Sequence, residues 1–210
     1  MVFMLGAVCA GPARAITGAE VIDKMEERFA KSKTYSATFE KQLFWAVLDR
    51  NMSREGRIHT RRPNEFRVEV EDGDLVIADG EAIWVYNKVN QQVIVGTYED
   101  DLRTPWQVLV DYADGYMPVS VAETELDGKD AYVVILQPRP DAPANLQVKR
   151  LRVWVDRKDW DLLQVEQLEA NDDRRTYVLR DHRRNKKMDD SLFRFTVPDD
   201  VEIIDRRRQD

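Results

Sequence analysis

The amino-acid sequence predicts an α+β fold, mainly antiparallel β, in which about eleven short strands curl and two amphipathic helices cover the concave side. Three observations point to it. Short segments from Tyr35 onward alternate apolar and polar residues, as half-buried strands do. Turn residues, above all the Asp-Gly pairs at Asp72-Gly73, Asp79-Gly80 and Asp127-Gly128, separate those segments. Helical spacing is confined to two widely separated stretches.

The first of these stretches follows Thr17, a fitting N-cap, and places Val21, Ile22, Met25 and Phe29 on one face with charges opposite. Tyr35, Ala37 and Phe39 then alternate with Ser36, Thr38 and Glu40. The group Leu43, Phe44, Trp45, Ala46, Val47 breaks that alternation and suits a bulge, a bend or an exposed rim. Strands are expected at about 53 to 60, 65 to 71, 74 to 78, 81 to 87 and 91 to 96, an antiparallel meander. A second helix is expected from Thr104, its cap, through Pro105 at the first helical position to Gly115 as terminator. Strands resume at about 118 to 125, 130 to 137, 148 to 156, 162 to 169 and 174 to 182, with a proline-rich excursion from Gln137 to Asn145. So many strands cannot remain one flat open sheet, and the apolar helix faces need a surface to cover.

The 210 residues fit a single domain with a sizeable core. The apolar run from Val2 to Gly11, followed by Ala13-Arg14-Ala15, reads as a secretory signal over residues 1–15, leaving residues 16–210 as one domain in the periplasm. No run approaches the roughly 20 apolar residues of a spanning helix. The single cysteine, Cys9, lies within that signal and follows Val8, where an acylation site would want a small residue, so no disulfide is expected in the mature chain. The net charge of −7, from 32 basic and 39 acidic residues, disfavours nucleic acid as a partner.

No catalytic constellation stands out. His59 and His182, the only histidines, fall in different strands without neighbours at metal-ligand spacing, so no metal site is expected. The sequence holds no nucleophile elbow, and its nine glycines are dispersed over turns rather than gathered in a phosphate loop, so no cofactor is expected. The acidic pairs Glu71-Asp72, Asp100-Asp101 and Asp172-Asp173 suit turns. The basic runs at Arg180 to Lys187 and at Arg206-Arg207-Arg208 suit solvated loops and tails, or contact with anionic headgroups or an acidic partner.

Six segments, in order, carry a family resemblance. They are YSATFEK from Tyr35, RRPNEF from Arg61, IADGEAIWVYN from Ile77, TPWQVLV from Thr104, VEQLEANDDRRTYVL from Val165 and FRFTVPDDVEIID from Phe193. Together they resemble the LolA-type carriers of outer-membrane lipoproteins. The resemblance implies a half-open, incomplete β-barrel whose hydrophobic cavity is closed by an α-helical lid, and a periplasmic chaperone rather than an enzyme. Its implied partners are acylated lipoproteins as clients, an inner-membrane LolCDE-type ABC transporter as donor and an outer-membrane acceptor, with the carrier acting as a monomer. A sensor of lipids or lipoproteins built on the same half-barrel is the alternative. By the same resemblance Arg62 latches the lid through hydrogen bonds to the lid helices and Pro63 shapes its loop. Phe66, Trp84 and Tyr86 are candidates for the cavity wall or rim, and Met25 and Leu109 for the apolar lid. Glu65 stands where relatives often carry an apolar residue.

Overall fold

The computed structural model describes residues 15–98, 109, 115–142 and 147–207. Helix α1 spans Gly18–Ala30 and opens on a capping box. The Glu20 amide donates to Thr17 Oγ1 at 3.2 Å, and the Thr17 amide donates to the Glu20 carboxylate at 2.8 Å. Two amides left over by the helix geometry are thereby satisfied. Val21, Ile22, Met25 and Phe29, the four residues of the predicted apolar face, are all buried.

Twelve strands follow among the described residues: β1 Thr34–Trp45, β2 Arg50–Arg61, β3 Glu65–Val70, β4 Leu75–Asp79, β5 Ala82–Asn87, β6 Gln92–Thr97, β7 Tyr116–Leu126, β8 Lys129–Pro138, β9 Val148–Asp156, β10 Leu162–Glu169, β11 Arg174–Arg184 and β12 Glu202–Asp205. They form one sheet in the order β12-β6-β5-β4-β3-β2-β1-β11-β10-β9-β8-β7. Two meanders, β1 to β6 and β7 to β11, are joined where β1 pairs with both β2 and β11. All neighbours run antiparallel except β12, which lies parallel to β6. Strands β7 and β12 are the two edges and do not pair with each other, so the barrel stays open.

The predicted strands all form, within a few residues of their expected bounds. Strand β12 was not expected, since four residues, EIID, carry too short a pattern to register. The break at Leu43 to Val47 resolves into a longer β1 followed by a single 3-10 turn, Ala46–Leu48. Of the three Asp-Gly turns, only Asp127-Gly128 has positive φ at both residues, 51° and 77°. The other two take a different course, with positive φ at Asp72 and at Gly80 alone. At the latter turn the Asp79 carboxylate accepts from the amides of Glu81 and Ala82 and from the Trp84 indole. Burial pushes its pKa up, but those three donors outweigh it and hold Asp79 below the usual carboxylate value.

The sheet has two apolar faces. The inner face carries α1 and one continuous cluster that runs from Phe66 and Ala78 through Phe39 and Ile58 to Val134, Leu151, Val153 and Val165. Gly56 sits opposite Phe39, whose ring lies across it; a Cβ there would stand 2.3 Å from the ring. The outer face carries a smaller cluster of Ala82, Val93 and Val95 with Trp84, Tyr86, Phe195 and Val201. The segment after β11, including a 3-10 turn at Asp190–Phe193, lays Phe193 and Phe195 over that face before β12 joins the edge. No helix among the described residues is long and apolar enough to cross a membrane.

Candidate functional site

The site is assembled where the inner face, α1 and the β2–β3 loop meet. Arg62, Pro63 and Asn64 form that loop, with a cis peptide between Arg62 and Pro63. The loop is held from both sides. The Arg62 amide donates to the Lys33 carbonyl at 3.0 Å, and Asn64 Nδ2 donates to the Gly80 carbonyl at 2.8 Å.

The adjacent arginines take opposite faces. Arg61 points outward and forms two hydrogen bonds to Glu65, at 2.5 and 2.8 Å, and one to Asp190 at 2.5 Å, with its guanidinium 4.7 Å from the Phe193 ring centre. Those carboxylates raise its pKa further above the ordinary arginine value. Glu65, the polar departure in the loop motif, is thus the partner of Arg61. Arg62 turns the other way, toward the helix. Its guanidinium carbon lies 5.7 Å from the centre of the Phe29 ring, on the last turn of α1. Among the described residues this is a cation–π contact rather than the hydrogen bond expected for a latch, because the side chain that α1 presents there is apolar.

Two further contacts tie α1 to the other half of the sheet. Lys24 Nζ sits 4.6 Å over the Trp160 ring, which itself stacks on Tyr132 at 5.8 Å. Arg28 Nε donates to the Asp159 carbonyl at 3.3 Å. Both partners lie in the β9–β10 connection, where Trp160 adopts φ 57°, a conformation seldom taken by a bulky residue. Sequence patterning could not have found them, since a tether between residues as distant in the chain as Arg28 and Asp159 leaves no local signal.

The expected lipid-contacting residues divide between the two faces. Phe66 is buried on the inner face, edge-on to Tyr98 at 5.5 Å. Met25 is buried in the same cluster from the helix side. Leu109 is helical and buried there too, and its carbonyl accepts from Gln167 Nε2 at 3.4 Å. The rest of the expected second helix, apart from Gly115, lies outside the described residues, as do residues 1–14 of the expected signal. Trp84 and Tyr86 are placed elsewhere. They stand on the outer face, packed under Phe195 at 5.3 and 6.0 Å, while their neighbour Ile83 faces the inner cluster. The period of a strand forces this split, because successive side chains point to opposite faces. The signal was present in AIWVY, a run without alternation, which marks a strand covered on both sides.

A polar group closes the inner face beneath the end of α1. Strand β11 bulges where Asp181 takes φ 55°, and the register against β1 shifts between Ser36 and Thr38. Tyr35 Oη and His182 Nδ1 lie 2.8 Å apart, while His182 Nε2 is buried without a hydrogen-bond partner. Burial, aided by the charge of Lys129, lowers the His182 pKa to about 4. Arg184 pairs with the buried Asp161 and lies 5.3 Å from the Tyr35 ring centre. No group of three or more His, Cys, Asp or Glu among the described residues is arranged to hold a metal ion.

This open sheet with a helix on its inner face can be set beside known proteins. The family model described as outer membrane lipoprotein carrier protein LolA matches residues 30–196. The chain belongs to the LolA family. The outer-membrane lipoprotein carrier protein of Histophilus somni (strain 2336) is 26% identical over 197 residues, covering 92% of each chain. That of Aliivibrio salmonicida (strain LFI1238) is 29% identical over 188 residues, covering 88% of this chain and 89% of its own. Among solved structures, an uncharacterized conserved protein from Thermus thermophilus superposes with a TM-score of 0.59 at 15% identity, covering 90% of this chain and 98% of its own, a likeness of fold. Within this LolA-family chain, the matched span includes the Arg62 loop, the whole sheet from β1 to β11, and Phe193 and Phe195.

Proposed function

We propose that this chain is a periplasmic carrier of outer-membrane lipoproteins, holding their acyl chains against the inner face under a movable α1. The observation that carries the reading is the family match over residues 30–196, laid on a sheet whose inner face is continuously apolar and roofed by an amphipathic helix. In this reading Phe66, Met25 and Leu109 contact the acyl chains, Arg62 and Pro63 govern the lid, and Trp84 and Tyr86 serve the packing of the C-terminal segment. The donor is an inner-membrane LolCDE-type ABC transporter and the recipient an outer-membrane acceptor. The work is binding and release, without catalysis.

Physical chemistry supports the need for such a carrier. Three acyl chains hold roughly 40 methylenes, and at about 0.8 kcal/mol each their exposure to water would cost on the order of 30 kcal/mol. Free diffusion through an aqueous compartment is therefore excluded. A carrier that recovered all of this would exceed the roughly 20 kcal/mol ceiling of non-covalent complexes and would never release its load. A lid whose apolar face must leave the sheet before the client enters lowers the net affinity into a usable range.

The test is mass spectrometry of ligand co-purified with the mature protein, followed by transfer to acceptor membranes. A bound triacylated lipoprotein that leaves on addition of acceptor is the expected result. A free fatty-acid ester, or an empty protein that takes up no lipoprotein, would refute the carrier reading.

A further inference from the structure

We propose that the tip of the β1–β2 hairpin is a membrane-contacting element that seats in the headgroup region of a phospholipid bilayer. Strands β1 and β2 pair from Thr34↔Arg61 out to Trp45↔Arg50, whereas β3 accompanies β2 only from Arg61 to Gly56. The six steps from Gly56 to Arg50 carry the hairpin roughly 20 Å past the last pair with β3, while on its other side β11 accompanies β1 out to Phe44↔Arg174, so only the turn itself extends beyond the sheet. Its end is a single 3-10 turn, Ala46–Leu48, closed by Asp49 at φ 47° and pinned by the Ala46 amide donating to Asp173 Oδ1 at 2.8 Å. The shape of the turn is therefore fixed by backbone contacts, which leaves its side chains free for another use.

Those side chains are apolar and in water. Trp45 is 37% exposed, Val47 87% and Leu48 58%, three of the exposed large hydrophobic residues gathered in four consecutive positions. A hairpin turn ordinarily takes polar residues, so an apolar one calls for a non-aqueous neighbour. Two cations lie at its base, alongside the exposed Asp49 of the turn. Arg174 lies over the Phe44 ring at 4.5 Å, Arg50 is exposed, and neither has a carboxylate partner among the described residues. Arg54, four pairs further down, donates to the Asp72 carbonyl.

The arrangement fits a bilayer better than a protein. The tip offers three exposed apolar side chains, far short of the roughly 800 Å² that each partner contributes to a standard interface. An indole followed by two aliphatic side chains, with guanidinium groups nearby, matches the layering of a membrane surface, where aromatic rings sit at headgroup level and arginines meet phosphate. This contact is separate from the inner face and from the lid, so it gives the chain a way to touch a membrane whatever it carries.

The test uses the mature chain without client and protein-free vesicles of phosphatidylethanolamine and phosphatidylglycerol. Flotation of the wild type with the vesicles is expected, with Val47→Asp and Leu48→Asp each lowering the partition coefficient by about tenfold or more and Val47→Trp raising it. Because these side chains are exposed, the thermal midpoints should match the wild type. Wild type that fails to float, aspartate variants that float like the wild type, or binding that appears only on vesicles carrying membrane proteins would each overturn the proposal. No client is present in the assay, so its outcome is independent of the carrier reading.

Discussion

Replacing Arg62 by Leu isolates the latch. Arg62 is exposed where it meets the buried Phe29, and cation–π contacts at exposed sites are worth about 0.5 to 1 kcal/mol. The loop itself should persist, because it is held by the Arg62 amide and by Asn64 rather than by the guanidinium. Losing about 0.5 to 1 kcal/mol from the closed state shifts the lid equilibrium toward open by about two- to fivefold at room temperature. In the proposed mechanism closed empty carrier competes with loaded carrier, so client affinity should rise by the same factor and release to acceptor should slow. The assay is release of a labelled lipoprotein to acceptor membranes from wild type, Arg62→Leu and Arg62→Lys, with Lys falling between. Release from Arg62→Leu at the wild-type rate or faster, with the fold intact, would refute the latch.

Gly56→Ala should destabilise the chain by about 1 to 3 kcal/mol in denaturant unfolding, because its Cβ would enter the Phe39 ring; Phe39→Leu in the same chain should recover part of the loss. His182 is held neutral, its pKa lowered from 6.5 to about 4. A depressed histidine contributes stability above its unfolded pKa and loses it as pH falls through the folded one, so between pH 6.5 and 4 the wild type should lose about 3 kcal/mol that His182→Asn does not, read from urea midpoints across that range. Thr17→Ala, which removes the capping box, should cost about 1 kcal/mol of stability by the same measurement. Deleting residues 1–15 should retain the protein in the cytoplasm, and fractionation showing unaltered export would exclude the signal.

Sequence pattern made most of the sheet legible because each strand carries its own turn signals and its own burial phase. It could place α1 to within a residue or two, since the cap at Thr17 and the apolar face are both local. What it could not supply were partners. The parallel seat of β12 on β6 joins residues 110 positions apart, and nothing in EIID announces it. For the site, the motif pointed to Arg62, but the faces that Arg61 and Arg62 meet were not legible in it: Arg62 lies against Phe29 of α1, and Arg61 against Glu65, Asp190 and Phe193. Trp84 and Tyr86 were expected at the cavity wall or rim from the motif, whereas the phase of β5 puts them under Phe195.

In the proposed lid, a small contact would regulate a large one. Four buried side chains, Val21, Ile22, Met25 and Phe29, fasten α1 to the sheet, and at about 1.5 to 3 kcal/mol each they bring some 6 to 12 kcal/mol to the closed state, an upper figure. In the lid mechanism proposed above, acyl chains that enter would replace this contact by one of the same kind, so the exchange would largely cancel and the balance would fall to the polar and aromatic tethers at Arg62, Lys24 and Arg28. Each tether is worth about 1 kcal/mol, enough to change a rate severalfold and too little to lock the helix. Arg61, bound to Glu65 and Asp190, anchors the loop that carries Arg62 to the outer face. A carrier that must both hold and release needs this division, with bulk apolar contact interchangeable and weak directional contacts deciding the direction.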